Sequence, residues 1–334
     1  VTAEQSFKLL GAYMNENKKT VQITQEAIYG WEGYRLIAGD VSLGIVPQVG
    51  GRIMSLICHG QELFFVQDQY KGAVCRFEDV KDLQQEKQRL GFRYWGGDKT
   101  WVAPQELWLG DTPPLLLDSG EYQIQLKKNG VEMTSLPCHE TGLQIIRDIV
   151  IEDDQTIVLN QTFRNISSAA VKWGIWNVTQ ILRPFAVYLP AKKQQIRVYK
   201  GEDLIEDVGY KMSIDDDWLK VVCDDNTCFK VGGMIDQGVI LALRHSSINN
   251  QKKQGQTIAL VRSFDIAANG AYAHDAIAEV YNSAQYNYLE VEVHAPIQAL
   301  QPDEEYSHSQ VWKVAKIDKI VGPNEVVDFL GLTR

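Results

Sequence analysis

Glu290, Glu292 and His294 occupy every second position of YNYLEVEVHAP, residues 286–296. Alternation at period two puts Leu289, Val291 and Val293 on one face of a strand and Tyr286, Tyr288 and the three titratable groups on the other. Two glutamates at i and i+2 are too close in register to flank one substrate ring as a two-sided acid and base. They divide more naturally into one base and one group that binds or orients a hydroxyl. His294, and His274 in the neighbouring AYAHDAIAEVYN, are candidate proton donors because imidazole titrates near neutral pH. An ordinary solvent-facing strand is the alternative, but this many titratable groups among tyrosines are costly to bury without purpose.

Three further segments carry candidate ligand contacts. PQVGGRIMSL, 47–56, sets Arg52 after two glycines, either as a ligand contact or as a surface or paired arginine at a bulged strand junction. YWGGDKTWVAPQ, 94–105, surrounds Gly96 and Gly97 with Trp95, Asp98, Lys99 and Trp101 and has no clean period. Flat apolar rings cover the C–H side of a pyranose while charged groups take its hydroxyls, so this composition suits a sugar; a packed tryptophan loop is the alternative. In VKWGIWNVTQ, 171–180, Trp176 and Trp173 fall on opposite faces of a strand and Asn177 falls with Trp173. Trp176 and Asn177 are candidate contacts there, with a core aromatic as the plainer reading.

The elements that must hold these residues are mostly strands. From Tyr29 onward, short alternating runs separated by glycine-containing turns follow one another to the end, without strand–helix alternation, repeat or linker. One helical insertion is expected near 78–90 in FEDVKDLQQEKQRLGF, with Val80, Leu83, Lys87 and Leu90 on one stripe. A further helix is expected over 3–18. The expected organisation is an N-terminal extension, 1–28, and a single all-β domain, 29–334. VVCDDNTCFKV reads as a hairpin that would bring Cys223 and Cys228 together, able to pair in an oxidising compartment and otherwise buried as thiols.

A net charge of -10 argues against nucleic acid, whose binders concentrate Lys and Arg, and points to an uncharged ligand. No apolar run is long enough to span a bilayer as a helix. Phosphate-binding, dinucleotide, G-x-S-x-G and zinc-protease motifs are absent, and no clustered spacing demands a metal, so no cofactor and no metal are expected. The sequence begins at Val1, which implies processing or trimming; the expectation is a soluble protein, cytoplasmic or exported after signal-peptide removal.

Three segments together resemble the galactose mutarotase-like superfamily, which includes the aldose 1-epimerases, and within it an uncharacterised branch: WEGYRLIAGDVSLGIVPQVGGRIMSLICHGQELFF, FRNISSAAVKWGIWNVTQI and YLEVEVHAPIQALQPDEEYSHSQVW. The resemblance implies a supersandwich of antiparallel sheets with a sugar, mono- or oligosaccharide, in a concave face. It also implies a glutamate base at the C1 hydroxyl, Glu292 first and Glu290 next, with a histidine protonating the ring oxygen. The family's central histidine is missing from WGIWNVTQ. Either His274, His294 or another group replaces it, or the protein binds sugars without epimerising them. Carbohydrate binding therefore stands first, an aldose isomerase second and a polysaccharide-processing enzyme third, with Asp98 the nominee for the second carboxylate that hydrolysis requires.

Overall fold

The computed structural model describes residues 20–77, 80–247 and 255–332. The helix expected over 3–18 lies outside them, as do Glu78 and Asp79, where the internal helix was expected to begin; residues 80–82 are not helical. Among the described residues, antiparallel strands form a larger sheet of 12 strands and a smaller one of 10, as the alternating runs require. Gln22–Ile28 is already a strand, paired along its length with Trp31–Ala38, so sheet structure begins before Tyr29.

From Arg52–Cys58 to its far edge the larger sheet runs, in spatial order, Arg52–Cys58, Asp98–Ala103, Val171–Leu182, Tyr288–His294, Ala278–Asn282, Phe229–Gly233 and Ile196–Val198. The smaller sheet sets Gly255–Phe264, Glu305–Ile317, Thr156–Asn165 and Leu143–Ile151 side by side. Inner-face residues of both sheets, such as Val102, Ile175, Leu289, Ile149, Leu260 and Trp312, are buried in one cluster. Each such side chain contributes about 1.5–3 kcal/mol by leaving water. A helix at Pro323–Phe329, absent from the sequence reading, packs Val326 and Val327 over Leu241, Val261 and Ile317 on the other face of the smaller sheet. Its sequence signal was proline at the first helical position.

The internal helix spans Leu83–Leu90, with the Asp82 carboxylate accepting from the amides of Gln84 and Gln85. The expected apolar stripe does not hold it: Leu83 is exposed, and the buried residue is Lys87, paired with Glu140 at 2.7 Å. The expected hairpin around Cys223 and Cys228 does not form. Trp218–Cys223 pairs with Phe185–Leu189 in the smaller sheet, whereas Phe229–Gly233 pairs with Ala278–Asn282 in the larger one. Alternation cannot tell which sheet a strand joins. Both cysteines are buried free thiols.

The segment 94–105 lacks a period because its strand, Asp98–Ala103, is buried on both faces. Gly97 enters that strand with φ of +68°, and its amide donates to the Phe65 carbonyl at 2.8 Å. A Cβ there would collide with the Ile53 carbonyl oxygen. Gly97→Ala is expected to lower stability by about 2 kcal/mol, read from the urea midpoint; an unchanged midpoint would mean the strand entry tolerates a shift.

Candidate functional site

Register decides which of the expected residues meet. Trp176 lies opposite His294 on one side and Trp101 on the other, and Val178 lies opposite Glu292 and Lys99. Glu292 in turn faces Glu279. Because side chains alternate, Lys99, Trp101, Trp176, Glu279, Glu290, Glu292 and His294 all point from the face of the larger sheet turned away from the smaller one.

On this outer face Lys230 stands between two carboxylates, 2.9 Å from Glu279 and 3.0 Å from Glu292. The site strand beside it has room because position 232 is glycine; a Cβ there would press on the Glu279 side chain. Glu279 also accepts from His294 Nε2 at 2.9 Å and lies 3.3 Å from His274 Nδ1. The Trp176 indole N–H donates to Glu292 at 2.8 Å. One strand position along, Glu290 accepts from Gln180 at 2.8 Å and lies 3.4 Å from the Lys99 ammonium. Trp176 is the aromatic centre: Trp101 and His274 meet it edge-on and His294 stacks on it, with centroids 5.0–5.2 Å away. Trp108 stacks from the 104–114 side at 6.0 Å.

Burial and neighbours separate the two central carboxyls. Burial pushes the Glu292 carboxyl well above the usual range, and Lys230 only partly offsets it. Burial also pushes Glu279 upward, but Lys230, His294 and His274 outweigh it and hold that carboxyl well below its ordinary value. Burial lowers Lys99, with Glu290 opposing, and lowers His294 against the pull of Glu279.

The outer face therefore gathers seven of the expected residues: Glu290, Glu292, His274, His294, Lys99, Trp101 and Trp176. They differ in reach. Glu292 and His294 are 0–1% exposed, whereas the Glu290, Lys230 and His274 side chains retain 14%, 17% and 10%. Tyr288 is also buried, packed 4.8 Å from the Phe65 ring, so the half-buried Tyr94, Tyr281 and Tyr286 form the rim instead.

Three expected ligand contacts lie elsewhere. Asp98 and Asn177 point between the sheets. Asp98 pairs with Arg147 and accepts from Asn177 at 2.9 Å and Thr179 at 2.7 Å; Asn177 accepts from Arg262. Asp98 is thus spent on holding the sheets and is unavailable as the second carboxylate of a hydrolase. Arg52 is 1% exposed and pairs with Asp118, which also accepts from the Trp101 indole at 2.7 Å, so Arg52 braces Trp101 from beneath. Glu279, Lys230, Gln180 and Trp108 were not singled out from sequence. Counting back through the NSAQYN turn from Glu292 reaches Glu279, which is the signal that was available for it.

A description of a domain of unknown function, DUF4380, matches residues 33–315. The chain belongs to the DUF4380 family. No curated protein matches this DUF4380 chain in sequence. Its fold is similar to that of a galactose mutarotase-like protein from Lactobacillus casei, 10% identical with a TM-score of 0.53, covering 84% of this chain and 99% of that one. A galactose mutarotase related enzyme from Lactobacillus acidophilus is 9% identical, with a TM-score of 0.50 and coverage of 87% and 100%. The Slr1438 protein from Synechocystis is 9% identical, with a TM-score of 0.50 and coverage of 91% and 99%. The DUF4380 chain thus has the galactose mutarotase-like fold expected from its three segments. Among the described residues, no helix is long and apolar enough to cross a membrane.

Proposed function

We propose that this protein binds an uncharged mono- or oligosaccharide on the outer face of the larger sheet. The observation that carries the reading is a row of fixed opposite charges, Lys99 with Glu290 and Lys230 with Glu279, laid beside the half-buried rings of the rim tyrosines Tyr94, Tyr281 and Tyr286. Internally paired charges present both donors and acceptors to hydroxyls with no net field to demand an ionic ligand, and the rings supply apolar area for C–H faces. A ligand meets Glu290, Lys230, His274 and the tyrosines first; Glu292 and His294 lie beneath them.

Calorimetric titration with a panel of neutral sugars and uronic acids tests this. Neutral sugars are expected to bind, and Glu290→Ala to weaken them at least about tenfold, equivalent to about 1.4 kcal/mol. Failure of every neutral sugar at millimolar concentration would sink the proposal. Isomerase action on the same sugar is a second reading, favoured by one observation: Glu292 Oε1 has no hydrogen-bond partner among the described residues although it is buried in the same cluster as two imidazoles. Anomer exchange followed by NMR separates the two. Acceleration by the wild type that Glu292→Gln abolishes supports turnover, and binding without acceleration leaves binding alone.

A further inference from the structure

We propose that His274, Glu279 and His294 form a binding site for a divalent transition-metal ion. The three side chains converge from separate places. Glu279 and His294 come from adjacent antiparallel strands, where the His294 amide donates to the Ile277 carbonyl at 2.9 Å. His274 comes from the short Ala273–Asp275 turn, whose backbone takes φ of +58° at His274 and so brings the imidazole over Glu279. One ligand atom from each lies within 4.8 Å of the others.

The separations suit a metal. Ligand atoms about 2.0–2.2 Å from a tetrahedral ion stand roughly 3.3 Å from one another. His274 Nδ1 is 3.3 Å from both Glu279 oxygens and His294 Nε2 is 2.9 Å from one of them, so only the gap between the imidazoles has to narrow. Two imidazoles and one carboxylate favour zinc, cobalt, nickel or iron, and supply too few oxygens for calcium or magnesium. All three residues are buried or nearly so, with side-chain exposures of 10%, 0% and 0%. Three protein ligands leave a coordination position open, and His274, the most exposed of them, marks the approach.

Lys230 shapes the site. Its ammonium shares the Glu279 oxygen that His294 contacts, so a metal must compete with it for that carboxylate. Glu292, 3.0 Å away, is a second anchor to which the lysine can retire. Lys230 therefore acts as an internal rival cation that weakens metal binding, and its removal strengthens it.

The test uses the full chain stripped with chelator, without sugar, so its outcome is independent of the carbohydrate reading. Cobalt(II) is titrated while the visible d–d absorption is followed, and the bound metal is quantified by elemental analysis. One ion per chain is expected. His274→Ala, at an accessible turn, is expected to weaken binding at least about tenfold, and Lys230→Met to tighten it, with circular dichroism confirming that both variants are folded. No cobalt uptake by the wild type, or the same affinity in wild type and folded His274→Ala, overturns the proposal.

Discussion

Asp98→Ala is expected to lower the free energy of unfolding by about 3–5 kcal/mol, because it strands the Arg147 guanidinium between the sheets without a counter-charge. Arg147 is 0% exposed and reaches across to the Gly51 and Asp98 carbonyls at 2.7 and 3.1 Å. The substitution also removes the Thr179 acceptor and one of two Asn177 acceptors, and both residues are tied through Arg262 to Gln310 of the smaller sheet. Against a total of about 5–15 kcal/mol for a folded domain, this leaves a marginal protein. The urea midpoint measured by tryptophan fluorescence reads the loss. Asp98→Ala/Arg147→Leu is expected to recover part of it, since no lone charge then remains buried. A loss below about 1 kcal/mol in the single variant would show that the pair does not tie the sheets together.

The second large effect is acid sensitivity traced to one ring. His308, on Glu305–Ile317, is buried and packs 5.9 Å from the Phe264 ring. Burial pulls its pKa down to about 4, with Arg262 adding to the effect and the nearby Asp265 opposing it. The sign follows from the proton count. Between the ordinary value of 6.5 and about 4, the unfolded chain holds a proton on this ring that the folded chain refuses, so stability is lost as pH falls through that window. The full difference is about 3 kcal/mol, at 1.36 kcal/mol per pKa unit. Urea midpoints collected down the same window should fall more steeply for wild type than for His308→Phe, in which the other acid-sensitive groups are unchanged. Parallel slopes would reject His308 as the source.

What sequence could show about this site depended on the periodicity of each strand. YNYLEVEVHAP is apolar on one face and polar on the other, and the structure keeps that division: Val291 and Val293 are in the core, while Glu290, Glu292 and His294 share the outer face. The same parity did not reveal that this outer face is itself covered, because Trp108 comes from a distant segment and His274 from a turn whose direction alternation does not fix. DKTWVA carries no apolar–polar contrast, since both its faces are buried, so the opposite directions of Asp98 and Lys99 were invisible until the segment was known to be a strand. Lys230 was hidden for a different reason. Its strand looked like the return arm of a hairpin, and nothing local in CFKV marks the crossing from one sheet to the other. Long-range pairing, unlike alternation, leaves no trace in a single segment.

The opposed directions of Asp98 and Lys99, and of Asn177 and Trp176, have an evolutionary reading. The residues that fasten the layers and those that face a ligand interleave along the same strands, yet they occupy separate sides of one sheet. A lineage can exchange side chains on one side while leaving the fastening on the other intact.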